Sequence, residues 1–254
     1  MNVIKVIHPS WARRLLVVVS GRQTACFLGA AVVTTCAALL GAPIPAASAQ
    51  PCPDVEVVFA RGTGETPGVG GVGQAFVDSL TSKVGARSVG VYAVNYAASS
   101  DFAGGLDFAR TVVDGIRDAG AHVESTAANC PNTRIVLGGY SQGAVVAGFA
   151  TSAAVPKEVP AAYISYVPKP MPSQVADHVA AVALLGKPSD QFMREYGVPP
   201  ITIGPLYAAK TIELCVPDDT ICNGAAGGGP TIAHALYAVN GMAGQAADFA
   251  ASRL

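Results

Sequence analysis

Arg134 to Ala150 reads RIVLGGYSQGAVVAGFA. Ile135, Val136 and Leu137 form a nearly continuous apolar run, the pattern of a strand buried on both faces. From Gly143 to Ala154 the chain is apolar all round, which predicts a buried helix. Between them, Gly139-Tyr140-Ser141-Gln142-Gly143 matches G-x-S-x-G, a sharp strand-to-helix turn that lifts the serine oxygen above a sheet. Small residues must flank the serine because strand and helix nearly touch there. Such a short motif carries weight only in the right setting. Here the apolar strand before it and the apolar helix after it supply that setting.

Moving outward from this stretch, strands are expected at 55–60, 88–96, 134–138, 179–185 and 211–216. Helices are expected over 72–84, 105–128, 143–154 and 232–252. Val72, Phe76, Leu80 and Val84 mark the buried face of the first helix. Ile232, Leu236, Val239, Ala246 and Phe249 mark that of the last. Three stretches read as rim loops: 64–73, the proline-punctuated 156–174, and 187–205. Val198 and Leu206 suit either an apolar rim or the core. Strands alternating with helices build a mainly parallel five-stranded sheet covered on both faces. The expected class is therefore α/β, a three-layer sandwich of the α/β-hydrolase type. No internal repeat or linker marks a second folded domain.

The chain has 254 residues, of which 51% are hydrophobic and 13% charged, with a net charge of −1. That balance excludes a disordered chain. It also argues against nucleic acid, which needs a basic face. Residues 1–49 read as a signal peptide. Arg13, Arg14 and Arg22 supply positive charge, Thr24 to Leu40 is apolar or small, and Ala47-Ser48-Ala49 suits cleavage after Ala49. A retained anchor is the rival reading, but the apolar run is short for a membrane span. Arg13-Arg14 also fits, weakly, a twin-arginine export signal. Residues 50–254 are then the folded domain. Cys26 and Cys36 leave with the signal. Cys52, Cys130, Cys215 and Cys222 remain, which in an exported domain suggests two disulfides with three possible pairings. A zinc site lacks both a C-x-x-C pair and nearby histidines.

A serine hydroxyl attacks only when a base takes its proton. The expected order is serine, acid, histidine. His8 lies in the signal, His122 precedes Ser141, and His178 opens the fourth strand at the end opposite the elbow. His234 alone follows the fifth strand, after the pliant run Gly227-Gly228-Gly229-Pro230. Asp218 and Asp219 both qualify as the acid, whereas Asp190 and Glu195 follow the fourth strand and fit less well. An oxyanion hole needs two aimed N–H groups. One is expected from Gln142 and the other from the loop beginning Arg61-Gly62-Thr63.

Ala60 to Glu65, Gly138 to Gly143, and the block from Cys215 to Cys222 followed by His234 together resemble the cutinase family, nearest to its mycobacterial members. The resemblance covers residues 50–254 nearly end to end. It implies a small, lidless serine esterase that cleaves short- to medium-chain acyl esters with Ser141, Asp219 and His234, and it needs no metal or cofactor. It assigns Asp219 over Asp218, since the family places the acid three residues before the second cysteine, and it assigns Thr63 to the oxyanion hole. In the family's sheet order the first and third strands are neighbours, which implies a Cys52–Cys130 bridge, with Cys215–Cys222 bracketing Asp219. Expected partners are a small-molecule or lipid ester, with transient contact to a lipid surface and no nucleic acid. The protein is expected to be a secreted, extracellular monomer, with cell-wall association as a further option. The same residues would serve an acyltransferase, a lipase or a phospholipase. A catalytically dead binding protein would show a broken constellation, and every expected position here is filled.

Overall fold

The computed structural model describes residues 51–254. The expected signal peptide, its cleavage site, His8, Cys26 and Cys36 lie outside the described residues. Five strands, β1 (Val55–Ala60), β2 (Val89–Ala93), β3 (Arg134–Tyr140), β4 (Val179–Leu185) and β5 (Thr211–Leu214), form one sheet in the order β2-β1-β3-β4-β5. Every pairing is parallel, not merely most of them. Parallel neighbours need long crossovers. These are α1 (Gly70–Lys83), α2 (Leu106–Asn129) and α3 (Gln142–Ala150), with the closing α7 (Met242–Ala251).

Because successive side chains on a strand point to opposite faces, the sheet feeds two cores. Val58, Ile135, Leu137 and Leu184 pack beneath α2 and α3. Val57, Phe59, Val136 and Leu185 pack against α1 and α7 with Phe76, Leu80 and Ala246. The chain steps from β1 out to β2, then crosses back to place β3 on the other side of β1. The strand order therefore reverses between β1 and β3, and the crevice above their carboxyl ends is where ligands bind in such sheets. The loop after β1 carries Thr63, and the turn after β3 carries Ser141.

Several expectations change. The C-terminal helix is broken into α6 (Ile232–Ala235) and α7, the segment between them turning at Gly241, whose φ is 92°. The apolar period runs across this break, so it does not report one face. Ile232, Leu236 and Val239 are 80%, 41% and 79% exposed, while Ala246 is buried. The helix after the elbow stops at Ala150, where the Thr151 hydroxyl bonds back to the Gly148 carbonyl at 2.8 Å. Two short helices, α4 (Asp190–Glu195) and α5 (Pro205–Ala208), interrupt the expected 187–205 loop and its end. The Ser189 side chain starts α4 by accepting from the Phe192 N–H at 3.2 Å. Val198 is half-buried in the cleft wall, and Leu206 is exposed. Cys52 bonds to Cys130 and Cys215 to Cys222, with Cα separations of 5.5 and 5.8 Å.

Candidate active site

Ser141 sits at φ 54°, ψ −117°, a backbone conformation that costs a non-glycine residue energy and persists only where its surroundings enforce it. The enforcement is visible on both sides. A Cβ on Gly139 would lie 2.1 Å from the Gly143 carbonyl oxygen, and one on Gly143 would lie 1.9 Å from that of Ala60. Both glycines are therefore steric requirements of the turn. The Ser141 N–H donates to the Leu185 carbonyl at 2.9 Å, which ties the turn to β4. The Ser141 carbonyl accepts from Ala144 and Val145 and opens α3. Gln142 is then the first residue of that helix, and its N–H belongs to the end where no intrahelical acceptor exists.

His234 lies on α6, where the Thr231 hydroxyl caps the helix by accepting from the His234 N–H at 3.3 Å. Its Nε2 is 2.8 Å from Ser141 Oγ, and its Nδ1 is 2.7 Å from Asp219 Oδ2. An ionised carboxylate only accepts, so it holds a proton on Nδ1 and leaves Nε2 to accept from the serine. Asp219 is fully buried inside the Cys215–Cys222 loop, while Asp218 is exposed. Burial alone would raise the Asp219 pKa. Hydrogen bonds from His234 and Tyr237, the nearby His234 charge and the Ile221 N–H outweigh it, so the carboxyl is held below the ordinary aspartate value. Asp190 lies on α4, and the Glu195 carboxylate accepts from the Gly227 N–H.

Two tyrosines escaped the sequence reading. Tyr237, completely buried, donates to Asp219 Oδ2 at 2.8 Å and accepts from the Val216 N–H at 3.1 Å. Its spacing of one helical turn from His234 was the only hint. The Tyr140 hydroxyl donates to the His234 carbonyl, so the residue before the serine also pins the histidine's backbone.

Thr63 lines the same cleft as Ser141, Gln142 and His234. Its loop is braced from both ends. The Glu65 carboxylate accepts from the Gly62 N–H at 2.6 Å and from the Gly71 N–H, at the start of α1, at 2.7 Å. Arg61 donates through Nε to the Glu65 carbonyl and through Nη2 to that of Tyr96, whose hydroxyl donates back to the Arg61 carbonyl. Ala98, at φ 48°, accepts from the Gly64 N–H at 2.7 Å, and Ser99 accepts from Gln142 Nε2 at 3.1 Å. One short segment, Tyr96 to Ser99, thus grips both the Thr63 loop and the residue after the serine.

The other histidines serve elsewhere. His122 is bound to Glu56 at 3.1 Å and stacked on Tyr92, and His178 ends a turn just before β4. Cys215, Asp219 and Cys222 converge as metal ligands might. Both sulfurs are committed to a disulfide, so this donor set has no thiolate to offer and does not fit a metal.

A family model described as Cutinase matches residues 51–254. This chain belongs to the cutinase family. Among curated relatives, the probable carboxylesterase Culp7 of Mycobacterium tuberculosis is 62% identical over 173 residues, covering 68% of this chain and 89% of that one. The carboxylesterase Culp1 of the same organism is 54% identical over 227 residues, covering 88% and 93%. Among solved structures, a Trichoderma reesei cutinase in complex with a phosphonate inhibitor is 33% identical with a TM-score of 0.56, covering 78% of this chain and 75% of that one. This cutinase-family protein is accordingly a carboxylic ester hydrolase with an α/β-hydrolase-type fold. No helix among the described residues is long and apolar enough to cross a membrane, and two disulfides suit an extracellular setting.

Proposed function

We propose that this protein hydrolyses acyl esters through a Ser141–His234–Asp219 triad and a covalent acyl-enzyme. The observation that carries the reading is the unbroken hydrogen-bond chain from buried Asp219 through His234 to Ser141 Oγ. Ser141 Oγ attacks the ester carbonyl while His234 Nε2 takes its proton, and Asp219 keeps the imidazole oriented and stabilises its charged form. The backbone N–H of Gln142 and the Thr63 residue hold the oxyanion. The tetrahedral adduct collapses, His234 passes the proton to the departing alcohol, and the acyl group stays on Ser141. Water then attacks under the same base and frees the acid. The chemistry is complete with these side chains.

Residues 1–49 direct export, with cleavage after Ala49, and the exported domain acts as a monomer on small or lipid esters, touching a lipid surface transiently. The two disulfides support this reading. The N-terminal sequence of protein recovered from the medium should begin at Gln50.

The decisive experiment treats the protein with an alkyl phosphonate ester and maps the adduct by mass spectrometry. A single modification on the Ser141 peptide, lost together with esterase activity in Ser141→Ala, supports the triad. Esterase activity retained by the variant refutes it.

A further inference from the structure

The two residues assigned to the oxyanion stand on different elements, Thr63 on the loop after β1 and Gln142 at the start of α3. A third element joins them. In the loop after β2, the Ala98 carbonyl accepts from the Gly64 N–H at 2.7 Å, and the next carbonyl, Ser99, accepts from Gln142 Nε2 at 3.1 Å. A carbonyl only accepts, so the amide nitrogen of Gln142 must face Ser99 and its Oε1 must face away. Two features of this junction lower stability. Ala98 is buried and held at φ 48°, a left-handed conformation that is costly for a residue with a Cβ. The Gln142 side chain is buried too, and its Oε1 has no hydrogen-bond partner among the described residues. A buried carbonyl oxygen left unpaired is destabilising, and an apolar side chain of the same shape would avoid it. Both costs fall on the junction between the oxyanion donors, and such local violations gather where function requires them.

We propose that the side chain of Gln142, as distinct from its backbone N–H, is a positioning residue for ester hydrolysis: a strut that fixes the separation of the two oxyanion donors. The proposal rests on the hydrolase reading above, in which Thr63 and the Gln142 N–H hold the oxyanion. The side chain acts through other residues. Its Nε2 pins Ser99, Ser99 is covalently joined to Ala98, and Ala98 pins the Gly64 N–H beside Thr63. The close packing of Gly143 on the Ala60 carbonyl sets the base of the Thr63 loop against α3. Glu65 and Arg61 then tie the loop to Gly71 and Tyr96. The strut refers the far part of the loop, at Thr63 and Gly64, back to the elbow. Preorganised donors need no rearrangement when charge develops, and a misplacement of about 1 Å costs about 100-fold in rate. The oxyanion exists only after attack on the carbonyl, so the strut acts on the transition state and not on ester binding.

The test is steady-state kinetics on p-nitrophenyl acetate for the unmodified protein, Gln142→Met and Ser99→Pro, with Tm and the pH profile measured beside it. Gln142→Met keeps the shape, loses the Nε2 donor and removes the unpaired oxygen. Its kcat should fall about 10- to 100-fold with KM within about twofold. Its Tm should rise or stay within about 4 °C. The acid limb of its pH profile should not move, because His234 and Asp219 bond to each other and to Ser141, not to this side chain. A merely structural glutamine would do the reverse, lowering Tm and leaving kcat alone. Ser99→Pro attacks the other end of the strut, since proline drives the residue before it toward extended backbone and so takes Ala98 out of its left-handed turn. It should reproduce the fall in kcat at constant KM. A kcat within about twofold of the unmodified protein in folded Gln142→Met overturns the proposal, and so does a loss carried by KM or by a shifted acid limb. If Gln142→Met does not fold, the same criteria apply to Ser99→Pro, and failure of both to fold marks the junction as structural and overturns the proposal too. Failure of the hydrolase reading would look different: Ser141→Ala would keep its activity.

Discussion

Replacing Tyr237 with Phe removes one hydroxyl and leaves the ring in place in a fully buried site. That hydroxyl donates to Asp219 Oδ2 and accepts from the Val216 N–H, so the change leaves a buried carboxylate short of a donor and a backbone N–H short of an acceptor. A hydrogen bond to a charged group is worth about 1.5–3 kcal/mol. For a domain of this size, 1 kcal/mol corresponds to roughly 2–4 °C, so Tm should fall by about 3–12 °C. The sign of the pH effect follows from Asp219. Its carboxyl is held below the ordinary aspartate value partly by this donor, so losing the donor raises its pKa, and activity on acidification should begin to fail at a higher pH. At neutral pH, where Asp219 stays ionised, His234 keeps its partner, and kcat should drop only about tenfold with KM unchanged, well short of losing an oxyanion donor. The assays are calorimetry and kcat/KM from pH 4 to 9. An unchanged Tm and an unmoved acid limb would show that Tyr237 does not hold the carboxylate, and the positioning argument would be wrong.

Three further outcomes follow from the same contacts. Glu65→Gln keeps the shape but turns one of two acceptor oxygens into a donor facing an N–H, so the Thr63 loop should loosen; kcat should fall about tenfold at constant KM, whereas a fall in KM-dependent binding alone would refute the brace. Removing the Cys215–Cys222 bridge as a double alanine variant should cost about 2–3 kcal/mol in the entropy account of a short loop, and should lower activity by a larger factor than it lowers thermal stability, because the loop it releases carries Asp219. Acid stability should fall in a defined direction: Asp219, Glu56 and Asp54 all have depressed values, Glu56 because bonds from His122 and Thr126 outweigh its burial and Asp54 through bonds from Ser88. Their contribution is complete above the ordinary carboxylate values near 3.8 and 4.5 and is lost as pH falls through the lower folded values. A Tm that stayed level from pH 7 to pH 2.5 would contradict it.

The elbow was legible because its causes are local. An apolar run, two glycines and an apolar helix lie within a few residues, and a Cβ on Gly139 would clash with backbone one turn away, whereas the need for glycine at 143 comes from the β1 backbone at Ala60, which only the fold brings there. The central strands β1, β3 and β4 were legible because buried parallel strands are near-continuous apolar runs, whereas the edge strand β2 showed only as an alternation of apolar and polar residues. The C-terminal helix was misread because a 3.6-residue period continues across Asn240-Gly241, and nothing in hydrophobicity alone reveals that Gly241 turns left-handed there. Asp218 and Asp219 are chemically identical neighbours. Only the folded disulfide loop buries one and exposes the other. The four cysteines allowed three pairings on their own, and the placement of β3 beside β1 brings Cys52 and Cys130 together. Tyr237 and the Tyr96–Ser99 segment carry no motif, and Glu65 ends a stretch of the family resemblance that gave it no role. Their roles arise from hydrogen bonds to groups brought close by the fold, as when Tyr96 meets Arg61 35 residues away. Sequence by itself therefore determined the strand–elbow–helix and the residue types around it, because those obey short-range sterics and periodicity. Tertiary structure alone decided which groups brace them and how deep the cleft runs, because these depend on strand order and on how α2 and α3 pack across the sheet.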